Sequence, residues 1–279
     1  MQTTRPHIPR ILLAFDFDRT LATDPIDAIC DVYGVSRADW ETKFEEPLGA
    51  HWDGIVRRGQ ALIEMGRTMD RPLSDKVFDA AAERVALFPG VLEMPGRVRA
   101  AVNDVADGIE LEFVVLSSGY DELISRTRVT EVFDRVLASG FEGGDDGVMS
   151  CVKRIIGHPQ KALYLEALGK GADIDGQNAP ERAGDHVTPG EMHVPFDQMI
   201  YLGDGLSDLQ AFEFLHRAGG LTIAVAADGG FDPGEITEPQ RVDAAPAPDY
   251  RDGRPLMQAL EHAARACAHR IALRRIGAP

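Results

Sequence analysis

The sequence predicts an α/β fold: a parallel sheet covered by helices on both faces, with a second, smaller helical domain inserted after the first strand. Two observations carry this prediction. Five short apolar runs alternate with helical patterns along much of the chain, and roughly ninety residues separate the first run from the second. A hydrophobic fraction of 44% over 279 residues is enough to bury a substantial core.

The runs, in order, are Ile8–Phe15, Glu112–Leu116, Arg135–Ala138, Gln198–Leu202 and Leu221–Val225. They are short, rich in branched residues and apolar on both faces, as buried parallel strands are. Helical periodicity falls between them at Gly96–Val105, Tyr120–Val132, Gln160–Leu168 and Asp208–Ala218. Strands that alternate with helices make a sheet whose ligands bind at the carboxyl ends of the strands. The stretch from Ala22 to Phe88 reads as helical, over Asp27–Val32, Arg37–Phe44, Trp52–Met65 and Ser74–Val85. It is far longer than one crossover helix needs, and Pro89-Gly90 makes a turn before the chain re-enters the core. Residues 169–195, rich in Gly, Pro and Asp, predict a long surface loop, functional or mobile. A last helix over Pro255–Ile276 carries Leu256, Leu260, Ala264, Cys267 and Ile271 on one stripe. Arg265, Arg270, Arg274 and Arg275 gather towards its negative end.

Composition excludes several functions. Lys and Arg number 29 against 45 Asp and Glu, a net charge of −16, which argues against an extended nucleic-acid surface. It does not forbid an anionic substrate, because a metal can invert the local sign. Cys30, Cys151 and Cys267 have no paired spacing, which suits a reducing cytosol better than a disulfide framework. The apolar run Ile11–Phe15 is too short for a signal peptide, and no stretch approaches the roughly 20 apolar residues of a membrane span. These features predict a soluble, cytoplasmic chain. Its oligomeric state is left open.

Four places carry chemistry. In AFDFDRTL, Asp16 and Asp18 directly follow the first strand, and i, i+2 spacing lets both carboxylates face one point. One carboxylate as nucleophile and its neighbour as proton donor is a workable pair. A plain acidic turn with an Asp helix cap explains this segment equally well on its own, and Thr20 offers a further hydroxyl for capping. In YLGDGLSDLQAF, Asp204 and Asp208 follow another strand and offer oxygen ligands to a hard cation such as Mg²⁺. The plainer reading has Ser207 or Asp208 cap the helix there, but a cap does not explain Asp204. In VVLSSGYDEL, Ser117 lies between strand and helix, where a hydroxyl and free amides hold a phosphate oxygen or simply cap the helix. Lys161 opens the Gln160–Leu168 helix and alone reads as a surface lysine. Taken together, these parts are what phosphoryl transfer requires, since catalysis there is mostly positioning and charge neutralisation.

DFDRTL, SSGY, Lys161 and GDGLSD match, in order, the four motifs of the haloacid dehalogenase-like hydrolases, and among these the chain most resembles phosphoserine-phosphatase-type phosphatases. Intervals of 101, 44 and 43 residues separate Asp16, Ser117, Lys161 and Asp204. The resemblance spans Ile8 to Val225 and implies a Rossmann-like parallel core over 1–21 and 89–279, with an inserted α-helical cap over 22–88. It implies that Asp16 attacks phosphorus to give an aspartyl-phosphate, and that Asp18 protonates the leaving alcohol and then activates water. It further implies Mg²⁺ held by Asp16, Asp204 and the main-chain carbonyl of Asp18, with Asp208 acting through a water. Ser117 and Lys161 would bind the phosphoryl group of a small phosphorylated metabolite.

Two positions depart from the pattern. Arg19 stands where many members have Gly or a small residue, so the turn differs or the side chain projects towards the cap. Lys153 rivals Lys161, which fits better because it begins an amphipathic helix. Asp18 and the GDGLSD acids set the reading apart from a true dehalogenase, which needs neither a leaving-group acid nor a metal. A phosphotransferase or mutase with the same aspartyl chemistry is one alternative, separable by product analysis with added acceptors. A non-catalytic metal- and phosphate-binding regulatory protein is the other, marked by tight binding without turnover. Substrate choice is expected in the cap, where His51, Trp52, Arg57, Arg58 and Arg67 are candidates and one of the three arginines is expected to contact substrate.

Overall fold

The computed structural model describes residues 5–174, 179–226, 240 and 242–277. Its strands are β1 (Arg10–Phe15), β2 (Glu110–Tyr120), β3 (Arg135–Gly143), β4 (Met149–Arg154), β5 (Met199–Gly203) and β6 (Leu221–Ala224). They form one sheet in the order β4-β3-β2-β1-β5-β6, parallel throughout except for the β3–β4 pair. The chain moves to one side of β1 for β2 and β3, and returns to its other side for β5. That makes the carboxyl end of β1 a topological switch point.

The helices are α1 (Pro25–Tyr33), α2 (Arg37–Trp40), α3 (Gly54–Thr68), α4 (Asp75–Ala82), α5 (Met94–Asn103), α6 (Asp121–Ile124), α7 (His158–Lys170), α8 (Ala179–Arg182), α9 (Leu209–Arg217) and α10 (Pro255–Ile276). Helices α5 and α10 pack on one face of the sheet, and α7 and α9 on the other. All five predicted stripe residues of α10 are buried. Its arginines do more than face a helix dipole: Arg270 donates to the carbonyls of Asp197 and Gly219, and Arg274 binds Gln198 and Asp197. They tether the helix to the start of β5. Among the described residues no helix is long and apolar enough to cross a membrane.

Helices α1–α4 form the smaller inserted α-helical cap, with a core that includes Ile29, Trp40, Leu62 and Phe78. Asp24 caps α1, accepting the Ile26 amide at 2.9 Å, so the cap role falls to Asp24 rather than Thr20. The chain enters and leaves this unit through paired strands of backbone: Thr23 N–H donates to Ala86 O at 3.0 Å, and Phe88 N–H to Leu21 O at 2.8 Å.

Three expectations need correction. The helical pattern over Tyr120–Val132 resolves into the last residue of β2, the one-turn α6, and a 3₁₀ turn at Arg128–Glu131. Thr127 and Thr130 hydroxyls donate back to the carbonyls of Ile124 and Thr127, and such local bonds compete with a continuing helix. The loop predicted over 169–195 is partly structured. Gly169 and Lys170 complete α7, α8 makes one turn, and Ile174, Ala183 and Val194 are buried against the core, while residues 175–178 lie outside the described residues. Strand β4 went unread, because an edge strand carries exposed polar side chains.

The β3–β4 hairpin matters because it leans on the cap. Phe141 packs against Phe78 and Tyr120, and the Tyr120 hydroxyl donates to Ile55 O at 2.6 Å. Gly59 of α3 allows this close approach: a Cβ there would lie 2.3 Å from Val152 Cγ2 and 2.9 Å from the Tyr120 hydroxyl. Gly59→Ala is therefore expected to destabilise the protein by about 1–3 kcal/mol through overpacking. Urea unfolding monitored by fluorescence checks this, and a midpoint equal to the parent's would show that the hairpin yields freely.

Candidate active site

Three strand ends and one helix build the site. Every residue of β5 is buried, and so is every residue of β1 except Arg10, so the acids at their ends emerge from a rigid floor. Asp16 N–H donates to Leu202 O at 2.8 Å, which holds the end of β1 against β5. The chain then turns tightly, with Leu21 N–H on Phe17 O at 2.9 Å and Arg19 N–H on Ala22 O at 2.8 Å. Arg19 sits in the left-handed region at φ 57°, a conformation that favours glycine. This gives a physical reason for a small residue at that position. Its side chain is exposed, and its charge acts on Asp204.

Lys161, fully buried at the start of α7, joins two of the acids: its Nζ lies 3.0 Å from Asp16 Oδ1 and 2.6 Å from Asp208 Oδ1. Asp16 Oδ1 also accepts the Phe17 amide at 2.8 Å. Asp208 Oδ1 accepts the Tyr201 hydroxyl at 2.6 Å, and its Oδ2 accepts the Gly205 amide and the Ser207 hydroxyl, each at 3.3 Å. Asp208 therefore does not cap α9 with its side chain. Only glycine fits at 203, since a Cβ there would lie 2.4 Å from Asp208 Cγ. Asp16, Asp204 and Asp208 each present an oxygen within 4.8 Å of the others.

One lysine does not neutralise this many acids. Burial pushes Asp16 up to about 6, against the pull of Lys161 and with a push from Asp208. Burial, then Asp16 and Asp208, push Asp204 up to about 8. Burial, reinforced by Asp24 and Asp16, holds the Asp18 carboxyl well above the usual range. Burial alone would lower Lys161, but Asp16 and Asp208 raise it above its ordinary value, so it stays charged. Among the described residues the Asp204 carboxylate has no hydrogen-bond partner. Such an excess of buried, hard oxygen donors fits a cation of the Mg²⁺ type. The Asp18 side chain lies outside the three-carboxylate cluster.

Ser117 is buried at the end of β2, where its Oγ accepts the Gly119 amide at 2.9 Å and keeps its own hydrogen to donate. Lys153 is on the edge strand β4, where it pairs with Glu142 at 3.3 Å, so the lysine at the acidic cluster is Lys161. Above the cluster, Asp18, Ser118 and Gly119 share a small cavity with Arg58 of the cap. Arg58 is itself half-exposed and lies 3.9 Å from Glu45, which also holds Arg57 at 3.1 Å; Arg67 is held by Glu64, while His51 and Trp52 are exposed.

Sequence reasoning missed Tyr201, which orients Asp208, and His158, which burial and Lys161 hold below the usual histidine range. It also passed over Ser118. The signal for Tyr201 was present, as a polar tip in an otherwise apolar strand next to GDG.

The model of the haloacid dehalogenase-like hydrolases matches residues 13–213. A curated relative, an uncharacterised protein of Borreliella burgdorferi, is 24% identical over 39% of this chain, and the match spans 40% of that relative's length. Two solved structures are similar in fold. A probable phosphoserine phosphatase of Vibrio cholerae has a TM-score of 0.59 and 16% identity, over 96% of this chain and 69% of that one. A phosphoserine phosphatase captured as an analogue of its phospho-aspartyl intermediate has a TM-score of 0.53 and 19% identity, over 91% of this chain and 98% of that one. With its Rossmann-like core, its inserted helical cap and a family match that covers most of its length, the chain belongs to the haloacid dehalogenase-like hydrolases.

Proposed function

We propose that this protein is a Mg²⁺-dependent phosphatase that hydrolyses a small phosphate monoester through an aspartyl-phosphate on Asp16. The observation that supports it best is the division of labour between two neighbouring acids: Asp16 ion-pairs with Lys161, and Asp18 is biased towards its protonated form. The phospho-aspartyl structure of a phosphatase with a similar fold points the same way.

In this reading an Asp16 carboxylate oxygen attacks phosphorus and the bond to the leaving oxygen breaks. Asp18 gives its proton to that oxygen, so the alcohol departs neutral. Asp18, now a carboxylate, takes a proton from a water that attacks the phosphorus of the aspartyl-phosphate. The acyl phosphate bond breaks, phosphate leaves, and both acids return to their starting forms. Lys161 stays charged throughout and offsets the charge on Asp16 and the phosphoryl oxygens. The Ser117 hydroxyl donates to one of those oxygens. Asp16, Asp204 and the Asp18 main-chain carbonyl would hold Mg²⁺, with Asp208 behind them, and the ion would neutralise and orient the phosphoryl group.

Residues 22–88 act as the cap that excludes water, hinged where 21–23 pair with 86–88. Arg126 of the core latches it shut by binding Asp75 and Asp79 of α4, at 2.5 and 2.8 Å. Of the three cap arginines, Arg58 lines the cavity beside Asp18 and is the one expected to contact substrate.

The test is phosphate release from p-nitrophenyl phosphate and a panel of phosphorylated metabolites, with Mg²⁺ or with EDTA. Turnover is expected with Mg²⁺, at background in EDTA and restored on re-addition. Undiminished turnover in EDTA would overturn the metal dependence.

A further inference from the structure

Four arginines line one concavity far from the active site. Asp204 follows β5 and Asp197 precedes it, so the acidic cluster and this concavity lie at opposite ends of the strand. Arg5, Arg217, Arg270 and Arg274 line it together with Asp197 and Leu273, and it encloses about 710 Å³. Three of the guanidinium groups converge on one residue. Arg5 Nη1 lies 2.6 Å from Asp197 Oδ2, and Arg274 Nη2 binds the same oxygen. Arg270 Nη1 donates to Asp197 O at 2.5 Å and to Gly219 O at 2.9 Å. Arg217 is exposed and pairs with Glu213 at 2.8 Å.

The tether between α10 and β5 occupies one nitrogen of Arg270 and supplies no counter-ion. Among the described residues, no hydrogen bond engages Arg270 Nε or Nη2 and no carboxylate pairs with this half-buried side chain. A partly desolvated guanidinium without an anion is unfavourable. Four guanidinium groups here share two carboxylates, Asp197 and Glu213, in a chain whose net charge is −16. Exposed charges more than about 8 Å away are largely screened at physiological ionic strength, so this local excess sets the sign a ligand meets. Guanidinium forks match phosphate and carboxylate oxygens, and a phosphate ester carries nearly the two negative charges that balance the excess.

A second concavity of about 410 Å³ adjoins the first through Arg5, Asp197, Ala218 and Arg274. Its walls are otherwise apolar and include the half-buried Val187, Met192 and Phe196. The acids of that loop are engaged, Asp185 with Arg182 and Glu191 with Thr188, each at 2.6 Å. An anionic group among the arginines therefore leaves room for an apolar body beside it. The two volumes are in the range of small-molecule sites. Leu273 and Ile276 are exposed near the end of α10, as on a lipid-binding face, but the guanidinium groups lie in a hollow, which suits a single molecule better.

We propose that this double concavity is a second ligand site, which takes a small phosphorylated compound with an aromatic or alkyl body. Arg270 and its neighbouring arginines bind the anionic group, and Met192 and Phe196 receive the apolar part. The inference does not depend on the phosphatase reading.

Titration calorimetry in EDTA tests it, because without metal the acidic cluster repels anions. The probes are benzylphosphonate, inorganic phosphate and benzyl alcohol. In the parent, the phosphonate is expected to bind about tenfold more tightly than phosphate, through its buried ring. Benzyl alcohol, which lacks the charge, is expected not to bind. Arg270→Gln should weaken the phosphonate about tenfold, the effect of losing one charged hydrogen-bond partner. Since Arg270 also tethers α10, a variant joining Arg5→Gln and Arg217→Gln, both exposed, supplies an independent measure. It should weaken the phosphonate about fivefold and leave the melting temperature unchanged. Parent-like affinity in both variants overturns the site. Equal affinity for phosphate and phosphonate overturns the role of the apolar walls. No binding of the phosphonate at millimolar concentration overturns the inference, and capture of phosphatidylglycerol vesicles alongside that result would assign the arginines to a lipid surface instead.

Discussion

Asp16→Asn is expected to lower phosphoester turnover by about three orders of magnitude or more, the scale seen when a catalytic nucleophile is removed. The exchange is nearly isosteric. The carbonyl oxygen of the substituted side chain still accepts the Phe17 amide, and Lys161 keeps Asp208 as a partner 2.6 Å away. What is lost is the anionic oxygen that attacks phosphorus. Stability should move the other way. Burial raises the Asp16 carboxyl from 3.8 to about 6, so the folded chain binds a proton there more tightly than the unfolded chain does, although the carboxylate still predominates at pH 7. The stability it contributes is greatest in acid and is lost as pH rises through that window. The neutral amide mimics the protonated form, so without divalent cation at pH 7 the variant should melt at or above the parent's temperature. Calorimetry checks this, and a much lower melting temperature would mean that the Asp16–Lys161 pair outweighs burial.

Lys161→Met should have the largest effect on stability. The ammonium is fully buried between Asp16 and Asp208, and removing one partner of a buried ionic cluster costs about 3–5 kcal/mol. For a chain of this size that corresponds to a fall in melting temperature on the order of ten degrees. Turnover should be lost with it. Without the lysine, the buried Asp16 carboxyl loses the attraction that offsets its burial, so the loss must grow as pH rises from about 5 to about 8. Urea titrations at both pH values test the sign. A loss below about 1 kcal/mol that does not change with pH would show that Lys161 is not the charge holding the acids together.

Much of this was legible in the sequence for a simple reason. Parallel strands buried on both faces read as apolar runs, and acids placed immediately after such runs, as Asp16 and Asp204 are, have nowhere to go but the end of the sheet. The α10 stripe was legible because a terminal helix against one face keeps a strict period. The segments that misled obey weaker rules. Strand β4 exposes Ser150, Cys151 and Lys153 at an edge, although Gly-Gly-Asp-Asp-Gly before it is a hairpin signal. The false helix after Tyr120 had the right period but threonines that bond backwards. Lys161 looked like a surface residue in isolation, and only the approach of Asp16 and Asp208 accounts for its burial. The meeting of Ser118 with Arg58 was beyond reach, because the cavity they share exists only when the cap meets the core.

The central claim is that Asp16 carries the phosphoryl group during turnover. The most direct measurement is an acid quench of the protein in steady-state turnover with Mg²⁺, followed by peptide mass spectrometry. The account predicts an acid-trapped phosphoryl group on the peptide holding Asp16, present in the parent and absent from Asp16→Asn, which also releases no phosphate. Phosphate release that persists in Asp16→Asn, or a phosphoryl group on another residue, would contradict it.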